Sequence, residues 1–170
     1  MTEWTWAENS VLYSDYPYTP PREIFQAVCD ELGRFFAQSG AKYTKSGRKL
    51  KRTLGAVRLE TAFWSSHGNI AGEWVNLEIV SSIYASDKNG LEKNGLLYFN
   101  IKPKNFNVYK IDIDRFSEIT EYIGGILETA RDLNTRNGIR RFLEERSQTE
   151  AQFLGEHSNN SVFFDRLPED

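Results

Sequence analysis

Glu60, Glu78 and His67 are the side chains best placed for acid–base chemistry. Residues Ala56–Ser65 and Glu73–Ala85 alternate apolar and polar with period two, the pattern of paired strands with one buried face. Between them, His67-Gly68-Asn69-Ile70-Ala71-Gly72 carries two glycines and an asparagine, which tolerate positive φ, so a hairpin is expected. The register that closes it tightly sets Phe63 opposite Val75 and Leu59 opposite Ile79. On the other face it sets Glu60 opposite Glu78 and Trp64 opposite Trp74, with Arg58 diagonal to Glu78 to relieve the like-charge contact. Paired carboxylates run acid–base catalysis when their surroundings split their pKa values, so a hydrolase using Glu60 and Glu78 is one reading. No nucleophile, phosphate-cradling loop or third metal ligand accompanies them, and no residue is assigned a catalytic or metal-binding role. The other reading is a binding face built from Trp64, His67, Asn69 and Trp74. A solvated face with a tryptophan pair under a loop or helix is the plain alternative.

A second group is basic. From Leu32 through Leu59 there are eight basic residues and no acidic one, whereas the first thirty residues and the last thirty are each net acidic. Ser46-Gly47 marks a turn between two short polar strands, so Lys45, Arg48, Lys49, Lys51 and Arg52 belong to a basic hairpin spanning about 42–58. Such a patch suits an acidic protein surface or a phosphate backbone. Lysines also protect edge strands from pairing with neighbours, and that reading stays open beside the other two.

Flanking elements must hold these groups. Residues 1–18 form an aromatic-rich arm with Trp4, Trp6, Tyr13 and Tyr16, expected to pack back on the body or add an edge strand, or else to bind a partner. Thr19-Pro20-Pro21 starts a helix over 19–39, with Ile24, Phe25, Val28, Leu32, Phe35 and Phe36 on one face and Gly40 as its stop. Cys29 flanks that face as filler rather than nucleophile. Ser86–Asn94 reads as a polar loop, Gly95–Ile101 as a strand and Phe106–Ile111 as a further strand. Asp112 or Asp114 caps a long helix with Phe116, Ile119, Ile123, Ile126, Leu127, Ala130 and Leu133 on one stripe. Gly124-Gly125 inside it implies a close approach or a kink. Asn137-Gly138 breaks the pattern before a helix using Ile139, Phe142 and Leu143, and Thr149 caps a last turn with Phe153 and Leu154. The tail, 156–170, docks through Val162-Phe163-Phe164 and Leu167.

The expected architecture is therefore α+β, with a mainly antiparallel sheet of four to six strands and the N-terminal and long C-terminal helices packed on one face. At 170 residues a single domain is expected: arm 1–18, helix 19–39, sheet 41–111, helices 112–155, tail 156–170. A formal charge of −3 is ordinary for a soluble protein, and no apolar run approaches the roughly 20 residues of a membrane span. One cysteine and two histidines argue against a disulfide framework and a zinc site, and no cofactor is expected. Without a signal pattern, a cytoplasmic location is expected.

Residues Gly40-Ala41-Lys42-Tyr43-Thr44-Lys45-Ser46-Gly47-Arg48-Lys49-Leu50 follow an amphipathic helix. They lead to Phe63-Trp64-Ser65-Ser66-His67-Gly68-Asn69 and a valine-rich strand. This order resembles a loose group of small bacterial proteins known as domains of unknown function, over roughly Ile24–Ala85. Some of that group are suspected immunity or accessory proteins. The resemblance implies a cytosolic protein-binding module, with neutralisation of a protein partner as its sharpest form, and brings no catalytic residues. Nucleic-acid binding through the basic hairpin is the alternative.

Overall fold

Two prolines start the first helix and one glycine turns the chain out of it. Helix α1 (Pro21–Ala37) has Pro20 at its cap position with no side-chain cap, so the helix begins two residues after the start read at Thr19. At the far end Gly40, with φ 85°, lets the Ala41 amide donate to the Phe36 carbonyl at 3.1 Å. The computed structural model describes residues 3–13, 16–86, 98–156 and 159–170. The loop expected at Ser86–Asn94 lies, Ser86 apart, outside the described residues, as do Gly95–Leu97 of the next strand.

Among the described residues the fold is α+β, with five α-helices and six strands. After α1 come β1 (Lys42–Thr44), β2 (Lys49–Leu54), β3 (Val57–Trp64), β4 (Asn76–Ala85), β5 (Tyr98–Asn100) and β6 (Lys104–Asn107). The helices α2 (Ile113–Asp132), α3 (Arg136–Glu145), α4 (Glu150–Glu156) and α5 (Asn160–Arg166) follow. The sheet order is β1-β2-β3-β4-β5, and β6 also pairs with β4. The pairings β1–β2, β4–β5 and β4–β6 are antiparallel. The strand expected at Phe106–Ile111 is instead β6, which ends at Asn107 opposite Asn76; there the Asn107 Oδ1 accepts from the Val75 and Tyr109 amides as the chain turns away.

The chain divides into two compact units. The first comprises Met1–Lys51, Thr61–Ser81 and Lys102–Ile123; the second comprises Arg52–Glu60, Ser82–Ile101 and Gly124–Asp170. Within the first, Leu50, Thr61, Phe63, Leu77, Ile79 and Phe106 are buried on one face of the strands. Helix cover lies on that face: Phe106 meets Tyr122 of α2 edge-on at 6.0 Å, and Gly33 of α1 lies against the Tyr43 ring. The arm returns to this unit as expected. Trp4 stacks on Phe116 at 5.8 Å and Trp6 meets it edge-on at 5.1 Å. Buried Glu31 accepts from the Ala7 amide at 2.7 Å and from Arg34.

In the second unit Leu54, Val57, Leu59, Ile83, Ala85 and Phe99 form the buried face. Phe99 is covered by Phe142 of α3 at 4.5 Å and Phe153 of α4 at 5.6 Å. A reciprocal box starts α4, with the Thr149 hydroxyl accepting from the Gln152 amide and the Gln152 side chain from the Thr149 amide. Asn137-Gly138 is not the break between helices. Thr135 caps α3 by accepting from the Gly138 amide at 3.0 Å, so both residues lie inside the helix. Nor does Gly124-Gly125 mark a close approach, since a Cβ at either position meets nothing within 4 Å.

Cys29 sits in the buried stripe of α1, and burial pushes its thiol pKa up. The unfolded chain gives up this proton above about pH 8.5 while the folded chain keeps it. The stability tied to Cys29 is therefore present below that pH and is lost as pH rises. Relative to Cys29→Ala, the native protein is expected to lose stability more steeply as pH rises above roughly 9. Urea unfolding of both proteins across that range checks the slope, and equal slopes refute it.

Candidate functional site

The loop between β3 and β4 is built by side-chain hydrogen bonds rather than by a tight turn. The Asn69 amide donates to Ser65 Oγ at 2.7 Å and its Oδ1 accepts from the Asn76 amide at 2.8 Å. Ser65 Oγ in turn donates to the Asn76 carbonyl at 2.9 Å. These three residues close the ends of the strands, and the chain beyond them forms a smaller turn in which Ile70 and Trp74 exchange backbone bonds at 2.8 and 2.9 Å. Gly72, with φ 79°, supplies the reversal.

This arrangement shifts the expected register. The Thr61 and Ser81 hydroxyls lie 2.9 Å apart, and the Ser86 amide donates to the Ala56 carbonyl at 2.7 Å. Leu59 consequently faces Ile83 rather than Ile79, and Glu60 faces Ser82 rather than Glu78. Continued along the strands, the same pairing sets Trp64 against Glu78 rather than Trp74. The slip is by an even number of residues, so every side chain keeps its face. Glu60 has Arg58 at 3.4 Å, and Glu78 lies opposite Asn105 of β6. In this pairing Glu60 and Glu78 are not cross-strand partners.

Trp64 is 58% exposed, Ile70 52% and Trp74 43%. Large apolar side chains this exposed within one short segment form an unusual surface for a soluble protein. His67 is exposed at the loop tip. Asn69 is half-buried and holds the loop, so its role is to position Trp74 rather than to present its own amide.

The basic hairpin splits into different duties. Lys45 pairs with Asp30 of α1 at 2.9 Å, and the Asp30 carboxylate also accepts from the Tyr43 hydroxyl at 2.9 Å. Burial, with Asp30 beside it, pushes the Tyr43 phenol pKa up. Arg48 takes a left-handed φ of 46° in the turn, and its guanidinium lies 5.5 Å from the Phe25 ring centre. These two cations fasten the hairpin to α1. Arg52 shares the alternation of buried Leu50 and Leu54, and its Nη1 is buried with no hydrogen-bond partner among the described residues. Lys49 and Lys51 point the other way, onto the opposite face of the strands, Lys49 half-buried and Lys51 exposed. Lys42 joins them, because β1–β2 pairing sets Lys42 opposite Lys51 and Thr44 opposite Lys49. The Phe63 amide donates to the Arg48 carbonyl at 2.9 Å, which aligns β3 with β2 and places Trp64 on the same face as Lys49 and Lys51.

The site thus consists of Lys42, Lys49, Lys51 and Trp64 on strands, with Ile70 and Trp74 in the loop. Sequence reasoning missed Lys42 and Ile70, although strand pairing makes Lys42 a neighbour of Lys51. A cleft of about 380 Å³ also opens beside the start of α2, near Asn107, Lys110 and Asp114. Its other charged groups are engaged locally: Asp112 caps the Arg115 amide at 2.8 Å, and Arg115 pairs with Glu118 at 2.5 Å.

Compared with known protein families, curated proteins and solved structures, the chain matches none. No helix among the described residues is long and apolar enough to cross a membrane. The reading of the site therefore rests on its own geometry.

Proposed function

We propose that this chain is a non-enzymatic protein-binding module in which the sheet face of the first unit that carries exposed Trp64 docks an acidic protein surface. The observation that carries the reading is the juxtaposition of exposed Trp64 with Lys42, Lys49 and Lys51 on one face, beside a loop that presents Ile70 and Trp74. Buried aromatic anchors dominate the energetics of protein interfaces, and the surrounding charges steer the encounter and select the partner. The loop is held by the Ser65–Asn69–Asn76 hydrogen bonds before any partner arrives, which lowers the ordering penalty on binding. Immunity-type neutralisation of a protein partner is the sharpest form of this reading and draws on the resemblance over Ile24–Ala85.

Nucleic-acid binding is the second reading. It is favoured by the same lysines next to an exposed tryptophan, since bases stack on aromatic rings and lysines follow the phosphates. The experiment that separates the two is a partner screen by co-purification, followed by affinity measurement with the native protein and two variants. Trp64→Ala with Trp74→Ala is expected to raise the Kd for a protein partner more than about tenfold. Lys49→Glu with Lys51→Glu is expected to slow association, an effect that shrinks in high salt. The native protein is expected to leave duplex DNA unshifted at physiological salt. Salt-sensitive binding of nucleic acid tighter than about micromolar would reverse the ranking, because non-specific contacts are usually weaker than that.

A further inference from the structure

Residues 167–170 lie against the N-terminal end of α3 as a bound peptide would. The Arg136 and Asn137 amides, two donors that the helix itself leaves unpaired, donate to the Pro168 and Glu169 carbonyls at 2.9 and 3.1 Å. Arg136 Nε donates to the Leu167 carbonyl at 3.0 Å, and its Nη1 lies 3.5 Å from the Glu169 carboxylate. Arg140 pairs with the same carboxylate, and Asn137 Nδ2 donates to Asp170 Oδ1 at 2.6 Å. Leu167, extended at φ −79° and ψ 147°, is the one buried side chain among these four residues.

The groups that hold this segment are themselves held by others. Arg136 also donates to the Phe164 and Asp165 carbonyls at 3.2 and 3.0 Å. Arg140 is fixed by Glu150 at 2.9 Å and by Asn137 Oδ1 at 2.8 Å, and hydrogen bonds to Glu169 and Glu150 raise its pKa. Both guanidiniums lie within 5.8 Å of the Phe164 ring centre. The two arginines keep these partners when residues 167–170 leave, so the site is preorganised for a replacement. What it reads is general: three main-chain carbonyls, two carboxylates and one apolar side chain. The ion pairs are exposed, with the Glu169 side chain 55% accessible, and exposed pairs hold weakly.

We propose that the N-terminal end of α3 is a receptor for an extended acidic peptide, a leucine followed two and three residues later by carboxylates, which residues 167–170 occupy in the free chain. An attached segment acts at an effective concentration of about millimolar, so it masks the site without binding tightly. The proposal stands on the second unit alone and is independent of the tryptophan-bearing face.

The probe is a fluorescent synthetic heptapeptide with the sequence of residues 164–170, followed by anisotropy at low and high salt. The full chain carrying Glu169→Ala and Asp170→Ala is expected to bind it at least about tenfold more tightly than the native chain, with affinity falling as salt rises. Adding Arg140→Glu is expected to abolish binding, and a peptide with lysine in place of Glu169 is expected to restore it. Equal affinity for native chain and variant, no binding to the variant, or no rescue by the lysine peptide overturns the proposal. So does a concentration-dependent dimer of the native chain that binds no peptide, which would assign the segment to a second copy. If the double variant does not melt cooperatively, Glu169→Ala alone replaces it, since that change removes one exposed carboxylate.

Discussion

Replacing Phe116 by alanine is expected to lower the unfolding free energy by about 3–5 kcal/mol, the range for truncating a buried aromatic. Phe116 is 1% exposed and is the platform on which the arm rests: Trp4 stacks on it, and Trp6 and Phe35 meet it edge-on at 5.1 and 5.9 Å. The loss should exceed the transfer term of the side chain, because three large rings cannot all collapse into the space it leaves. A second consequence is local. Arg34 lies 4.1 Å from the Trp4 ring centre and pairs with Glu31, which also accepts from the Ala7 amide. When Trp4 loses its platform, this buried carboxylate loses the geometry that compensates its desolvation. Denaturant unfolding followed by tryptophan fluorescence measures the first effect, and limited proteolysis within residues 3–13 measures the second. A loss below about 1 kcal/mol, with the arm still resistant, would show that the aromatic cluster does not fasten it.

Much of this architecture is legible in the alternation of β3 and β4. Val57, Leu59, Thr61 and Phe63 share one parity, as do Leu77, Ile79 and Ile83, and all are buried. Parity survives any even slip, which is why the faces were readable while the register was not. The register depends on Asn69 reaching Ser65 and Asn76, three polar side chains whose pairing leaves no periodic trace. A tight loop would set Glu60 opposite Glu78, and the longer loop separates them in the pairing. The basic run shows the opposite lesson. Arg52 has the parity of Leu50 and Leu54, so its inward direction is legible in the alternation, whereas its charge alone groups it with the outward lysines. Lys45 and Arg48 lie in the turn, where alternation says nothing, and only the packing of α1 against the hairpin shows that Asp30 and Phe25 engage them.

Glycines within the helices should respond to alanine with opposite signs, and Gly138 should carry the larger effect. A Cβ on Gly138 would lie 1.6 Å from the backbone oxygen of Asp132, near the end of α2. That atom belongs to the main chain of the junction, so it cannot swing aside as a side chain would. The Thr135 cap, which accepts from the Gly138 amide itself, would be displaced together with it. Gly138→Ala is therefore expected to destabilise by about 3 kcal/mol, combining overpacking with a lost cap. Gly124 and Gly125 have helical backbone and open space around a Cβ, so alanine adds no collision there. Each of those replacements is expected to stabilise by roughly 0.5–1 kcal/mol, through the lower entropy of the unfolded chain and higher helix propensity. Thermal unfolding of the three single variants tests both signs in one series. A neutral Gly138→Ala would mean that the α2–α3 junction is loose enough to move, and the close approach would then not be what keeps a glycine in the first turn of α3.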